Sequence, residues 1–311
     1  MDKQKINVLI AAKAWSPEPW QLGLSKKSVF DNVYIWPDVP DLSEIDALFV
    51  WKPLDEGVIA KMPNLKWISS MGAGVDHLMR DDQIPDHIPI TRIVDPWLTR
   101  DMTNYVIMAV LMHQRSMNIH AQNQKSKIWD RLPYHSLCIG VLGLGELGGH
   151  LAQHLSALGF EVCGISRTRK DIKGVNSYLD SEMDDFLTKP DVLVNLLPVT
   201  AKTENLLDAN FFSKVKTGAY LINVARGNHV VDEDLLKALD SGKLCGALLD
   251  VFREEPLQKH HAFWTHPKIK MTPHVASVTS PESAMNLLEK NAQRLVQGRE
   301  LLHQVDMERG Y

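Results

Sequence analysis

Between Gly140 and Lys170 the chain reads GVLGLGELGGHLAQHLSALGFEVCGISRTRK, and no other stretch restricts its possible folds so much. An apolar strand runs into Gly143-Leu-Gly145-Glu-Leu-Gly148, and a helix follows with Leu151, Leu155 and Leu158 on one face. Gly159 stops that helix, and a second strand, EVCGIS, begins. The three glycines have separate tasks: a tight turn after the strand, close approach of backbone to a pyrophosphate, and close contact between helix and sheet. The motif alone is weak. Its place between a strand and an amphipathic helix predicts a dinucleotide-binding unit, with the unpaired N–H groups of the helix N-terminus aimed at phosphate.

The end of the second strand bears on which dinucleotide. In this fold an Asp or Glu about 20 residues beyond the glycines accepts the ribose hydroxyls and repels a 2′-phosphate. Here that position is Ser166, followed by Arg167, Thr168, Arg169 and Lys170. A hydroxyl and three cations suit a phosphate and do none of the work of an acid. These residues favour NADPH, with NADH the weaker cofactor. The plainer alternative, a solvated basic loop at a strand end, does not explain the missing acid.

Strands and helices alternate over the rest of the second half: VLVNLLP, AYLINVA and GALLDV read as strands, with a helix from Asp232 to Asp240 stopped at Gly242. A doubly wound parallel sheet is expected. The first third alternates INVLIAA, VYIWP, ALFVW, LKWISSMG and IPITRIV with polar connections, a second and smaller α/β unit. Helical spacing runs from Leu98 to about Arg115 and again from Pro281 to Val296. At 311 residues the chain suits two domains of about 100 to 200 residues each. Residues 98–280 are read as the nucleotide-binding domain, inserted into a domain made of 1–97 and 281–311.

A net charge of -4, without a basic block, gives no reason to expect nucleic acid. No segment approaches the ~20 apolar residues of a membrane span, and the first residues lack the pattern of a secretory signal. Cys138, Cys163 and Cys245 each sit in apolar runs without metal-ligand spacing. Buried reduced thiols, no metal and a cytoplasmic location are expected.

Three further segments fall at strand ends: NVARGNHVVDEDLL, LLDVFREEP and MTPHVAS. Ligands of open parallel sheets bind beyond the carboxyl ends of strands, so Arg226, Glu255 and His274 are expected to face one crevice. Reduction of a 2-keto acid needs a cation for the carboxylate, a proton donor for the emerging alkoxide, and a carboxylate to keep that donor charged. Arg226, His274 and Glu255 supply these in turn. Taken singly, each has a structural alternative: Arg226 as a helix cap, Glu255 in a turn before Pro256, His274 as one structural histidine among 13.

Together GLGELG, NVARGNHVVDEDLL, LDVFREEPL, FWTHPKIKMTPHVAS and MGAGVD resemble the D-isomer-specific 2-hydroxyacid dehydrogenase family over nearly the whole chain. VWKP, LLPVTAKTENLL, ISRTRK and the ending QVDMERGY resemble its glyoxylate/hydroxypyruvate reductase A branch, which prefers NADPH. The resemblance implies a Rossmann domain inserted into a flavodoxin-like substrate domain, with cofactor and a small 2-keto acid in the cleft between them. It implies glyoxylate and hydroxypyruvate as substrates, reduced to glycolate and D-glycerate. By the same resemblance Arg226 binds the keto acid, His274 is the acid/base and Glu255 its partner. Glu146, Leu147, Leu197, Pro198, Val224, Ala225, Asp250 and Ala276 join the glycine turn and the basic loop around the cofactor. Ala73 and Gly74 offer backbone N–H groups to the substrate carboxylate. Trp51 walls the pocket, unless it is plain core. A homodimer through the helix from Leu98 and the segment holding Trp129 is also implied.

Two other readings stay open. The same family includes NAD-dependent phosphoglycerate and formate dehydrogenases and broader keto-acid reductases; the first would want an acid at Ser166 and the second a different pocket. The fold also serves a transcriptional corepressor, the C-terminal binding protein, which senses nucleotide. NADPH oxidation with glyoxylate separates enzyme from sensor.

Overall fold

The computed structural model describes residues 5–12, 16–307 and 309–310, so Glu308 and Tyr311 of the C-terminal ending lie outside the described residues. The chain divides into two compact units, one made of Met1–Leu98 and Val278–Tyr311 and the other of Thr99–Ser277.

The first unit carries β1 (Ile6–Ala11), β2 (Phe30–Ile35), β3 (Ala47–Val50), β4 (Trp67–Ser70) and β5 (Ile90–Thr91). All pairings are parallel, in the order β2-β1-β3-β4-β5. That is the flavodoxin-like order. β1 and β3 are nearly continuous apolar runs and β4, WISS, is buried throughout, because helices and loops cover both faces of these strands. The C-terminal helix Pro281–Val296 closes one side, setting Ala284, Met285, Leu288 and Ala292 into a core with Trp20, Leu24, Phe49 and Trp67. The opposite face holds Leu9, Leu48, Ile68 and Ile90.

The second unit carries β6 (Cys138–Leu142), β7 (Glu161–Ser166), β8 (Val175–Leu179), β9 (Val192–Asn195), β10 (Ala219–Asn223), β11 (Leu244–Leu249) and β12 (Ile269–Met271). They form one parallel sheet in the order β12-β11-β10-β9-β6-β7-β8. Counted from β6 this is the dinucleotide-binding order 3-2-1-4-5-6 with one more edge strand, and the order reverses between β6 and β9. The helix Pro96–Gln114 buries Met102, Val106, Ala109 and Val110 against it, as their spacing predicts, and stacks the His113 ring on Tyr220 at 4.2 Å.

Three details differ from the sequence reading. Leu158 is exposed, because the helix ends at Ala157 and Leu158 belongs to its C-cap. Cys245 is exposed near the start of β11 and Cys138 is only half-buried, whereas Cys163 is buried. β8 pairs along the edge beside β7 although VNSYL carries no long apolar run, since an edge strand needs only one covered face. Among the described residues no helix is long and apolar enough to cross a membrane, and no cluster of three or more His, Cys, Asp or Glu could hold a metal ion.

Candidate active site

Every segment singled out in the second half of the sequence begins where a strand of the seven-stranded sheet ends. Leu197 and Pro198 follow β9, Val224 to Arg226 follow β10, Asp250 follows β11, and His274 to Ala276 follow β12. A parallel sheet puts these ends on one edge, so the topology gathers residues far apart in sequence.

The glycine turn after β6 fits a pyrophosphate by an internal test. Gly143 has φ +98°, a setting that favours glycine, and a Cβ there would lie 3.1 Å from the Leu196 carbonyl oxygen. At Gly148 a Cβ would fall 1.8 Å from the Gly143 carbonyl oxygen, so helix and turn touch only because the side chain is missing. Gly145 differs: a Cβ would meet nothing within 4 Å. Neither packing nor a positive φ requires glycine there, and open space above the N-terminus of the helix Glu146–Ala157 is what an approaching phosphate needs. Glu146 and Leu147 form the first turn of that helix.

β7 ends on Ser166, whose hydroxyl donates to the Thr168 carbonyl at 2.8 Å. Arg167 and Thr168 are exposed. The Arg169 guanidinium is already engaged, donating to the Ser177 carbonyl at 2.5 Å and to Glu182 at 2.7 Å. It braces the loop, and the Glu182 carboxylate, which also accepts the Leu179 N–H, is thereby paired.

His274 and Glu255 form the centre of the second group. Nδ1 of His274 lies 2.8 Å from one Glu255 oxygen, and the other accepts the Phe252 N–H at 2.9 Å. Burial raises the Glu255 carboxyl, but the His274 bond, the Phe252 N–H and the charges of His274 and Arg226 outweigh it, leaving the group below its ordinary value. Glu255 thus stays ionised beside the imidazole and feels Arg226. The Arg226 side chain is half-buried, with one guanidinium nitrogen donating to the Ala225 carbonyl at 2.8 Å.

The His274 backbone is left-handed, with φ +55°, and Asp250 holds it. Asp250 is 1% exposed. Its carbonyl accepts the His274 N–H at 2.8 Å, and its carboxylate accepts the Val275 and Ala276 N–H groups at 2.9 Å and the Thr272 hydroxyl at 2.5 Å. Thr272 in turn meets the Tyr105 hydroxyl. The sequence reading missed Thr272 and Tyr105; the available signal was a hydroxyl two residues before the histidine.

In the first unit, the turn after β4 is braced by Ser70, whose hydroxyl donates to the Gly74 carbonyl at 2.7 Å and accepts the Gly72 N–H at 3.3 Å. The Ala73 and Gly74 N–H groups have no acceptor among the described residues. Trp51 is half-buried and lies over Gly72, where a Cβ would sit 2.3 Å from the indole.

Residues 107–276 match the pattern of the D-isomer specific 2-hydroxyacid dehydrogenase NAD binding domain. The chain belongs to the D-isomer specific 2-hydroxyacid dehydrogenase family. It is 36% identical to glyoxylate/hydroxypyruvate reductase A of Yersinia enterocolitica, covering 98% of this chain and 100% of that one. The reductase A of Photorhabdus laumondii is 39% identical, with 94% and 96% covered. Among solved structures, a D-isomer specific 2-hydroxyacid dehydrogenase from Xanthobacter autotrophicus Py2, in complex with NADPH and MES, superposes with a TM-score of 0.93 at 34% identity, covering 99% and 100% of the chains. An NADPH-dependent glyoxylate/hydroxypyruvate reductase from Sinorhizobium meliloti, in complex with NADP and sulfate, gives 0.93 at 35% identity with the same coverage. The dehydrogenase family thus accounts for both units of the fold.

Proposed function

We propose that this family member reduces small 2-keto acids with NADPH, taking glyoxylate to glycolate and hydroxypyruvate to D-glycerate. The observation that carries the reading is the His274–Glu255 pair at 2.8 Å, with Arg226 close enough to depress Glu255, on the carboxyl edge of a dinucleotide-binding sheet. The relatives named for glyoxylate and hydroxypyruvate, and the neighbours holding NADPH or NADP, support the choice of substrate and cofactor.

Gly143, Gly145 and Gly148 would hold the pyrophosphate, with Glu146 and Leu147 in the adjoining helix turn. Ser166, Arg167 and Thr168 would take the 2′-phosphate, and Arg169 would act mainly by holding that loop in shape. Leu197, Pro198, Val224, Ala225, Asp250 and Ala276 would line the remainder. When bound, the nicotinamide supplies the hydride. Arg226 would grip the substrate carboxylate, with the Ala73 and Gly74 N–H groups as anion donors of the first unit and Trp51 limiting the size of the keto-acid substituent. His274 would deliver its proton from Nε2 to the new alkoxide oxygen, because Nδ1 is held by Glu255. Glu255, ionised, would accept the Nδ1 proton and so fix the ring.

We also propose a cytoplasmic homodimer. Its support is an exposed apolar face on the helices Pro96–Gln114 and Met117–Lys125 and the segment after them, where Met108, Leu111, Met117, Ile128 and Trp129 lie open. The test of function is to incubate the protein with hydroxypyruvate and NADPH and resolve the product by chiral chromatography. D-glycerate is expected. L-glycerate, or no product, contradicts the reading.

A further inference from the structure

The segment NVARGNHVVDEDLL holds one fully buried ionisable side chain that the chemistry above does not use. His229 ends the 3-10 turn Gly227–His229 and is 0% exposed. A histidine buried to that degree must have polar partners, and the ring here meets the Asn195 amide and the Pro198 and Arg226 carbonyls, with Asn223 bonded to Asn195 one step further on. Asn195 is the last residue of β9 and Asn223 the last of β10; they are register neighbours and both are 0% exposed. Each is the sole polar side chain ending an apolar strand, VLVN or, apart from its tyrosine, AYLIN.

The amide orientations follow from the backbone. Asn195 Oδ1 accepts the Leu197 N–H at 3.2 Å, so its Nδ2 faces inward, donating to Asn223 Oδ1 at 3.0 Å and lying 3.0 Å from His229 Nδ1. Asn223 Oδ1 also accepts the Ala225 N–H at 3.3 Å, and its Nδ2 donates to the Arg226 carbonyl at 3.0 Å. Since Asn195 Nδ2 can only donate, His229 Nδ1 accepts, and the ring proton sits on Nε2, 3.2 Å from the Pro198 carbonyl. The Arg226 carbonyl, 3.2 Å from Nδ1, is already served by Asn223.

Three buried side chains thus tie the loop Leu197–Pro198, after β9, to the turn Ala225–Arg226, after β10. We infer that His229, with Asn195 and Asn223, is a positioning residue that fixes Arg226 relative to the cofactor loop, so that keto-acid affinity and NADPH affinity both depend on a side chain that touches neither ligand. The inference rests on the reading of Arg226 as the carboxylate clamp. Displacement of such a group by about 1 Å can cost about 10²-fold in rate.

The test uses the full-length protein and three variants. His229→Leu removes both bonds of the ring. His229→Asn keeps an acceptor near the Nδ1 position and loses the Pro198 bond; His229→Gln keeps a donor near the Nε2 position and loses the Asn195 bond. For each variant, thermal unfolding, NADPH Kd by fluorescence titration, and glyoxylate kcat and KM are measured. The leucine variant is expected to lose about 10²-fold in glyoxylate kcat/KM. The asparagine variant should weaken chiefly NADPH binding, and the glutamine variant should raise chiefly the glyoxylate KM. A role confined to filling the core would lower the melting temperature and leave Kd and KM as in wild type, and that result overturns the inference. Should the leucine variant fail to fold, unchanged Kd and KM in both amide variants overturn it equally. Wild type is assayed first: lack of glyoxylate turnover there defeats the active-site reading, while normal wild-type turnover with silent His229 variants defeats this inference alone. The NADPH titrations report on the Pro198 side in either case.

Discussion

At φ +55°, His274 occupies a backbone setting that few residues other than glycine adopt, and the buried Asp250 carboxylate holds the segment there through Thr272, Val275 and Ala276. Removing the imidazole should therefore remove chemistry and leave the scaffold. His274→Ala is expected to lower kcat by about 10² to 10⁴-fold, the usual worth of a positioned proton donor, with NADPH Kd nearly unchanged by titration. Arg226→Ala should raise KM and lower kcat together, because the guanidinium would both bind the carboxylate and set the position of the carbonyl for hydride transfer. Glu255 makes a different prediction, about pH. Burial raises its carboxyl, but the His274 bond, the Phe252 N–H and nearby positive charge lower it further, so the folded value lies below the ordinary 4.5. A depressed carboxyl contributes stability that is present above the ordinary value and is lost as pH falls through the folded one. Unfolding free energies measured on both sides of that window should show Glu255→Gln losing stability at neutral pH and converging with wild type in acid. A constant difference across the whole range would contradict the assignment. Much of this site was legible in the sequence, because Arg226, Glu255 and His274 each follow an apolar strand closely. Thr272, Tyr105 and His229 were not, since an uncharged side chain shows its role only when its partners, distant in sequence, are known.

Among the elements, the turn after β6 separates packing from binding within six residues. Gly148 is glycine because a Cβ would lie 1.8 Å from the Gly143 carbonyl oxygen, whereas Gly145 has open space around the Cβ position. Gly148→Ala should cost roughly 1 to 3 kcal/mol through overpacking and bind NADPH poorly. Gly145→Ala, at φ −79°, should keep or slightly raise stability, by at most about 1 kcal/mol, and still lose NADPH affinity. Thermal unfolding paired with NADPH titration checks both; equal destabilisation would remove the distinction. The five inner strands of the seven-stranded sheet, β6, β7, β9, β10 and β11, were legible for a related reason, being largely buried and so nearly unbroken apolar runs. β8 was hidden because VNSYL is half-buried at an edge. The basic loop was legible as charge and only partly as geometry: the sequence gives no sign that Arg169 is engaged by Glu182 and the Ser177 carbonyl. Arg167→Asp is accordingly the substitution expected to flatten the preference for NADPH over NADH.

For the whole molecule, two parallel sheets of different strand order share one chain, and the unit with the dinucleotide-binding order also carries Arg226, Glu255 and His274. The exposed apolar face around Met108, Leu111, Ile128 and Trp129 belongs to the same account. Sedimentation at micromolar concentration should give a dimer, and a charged residue at Leu111 should shift it toward monomer; wild-type protein found only as monomer would contradict the proposed assembly. The central claim is that a dinucleotide-binding sheet ending in Ser-Arg-Thr-Arg, joined to the Arg226, Glu255 and His274 group, makes an NADPH-dependent reductase of small 2-keto acids. The most direct measurement is steady-state kcat/KM for glyoxylate with NADPH and with NADH, side by side on the wild-type protein. The account predicts turnover with both and a much higher value with NADPH. Equal values for the two cofactors, or no turnover with either, would contradict it.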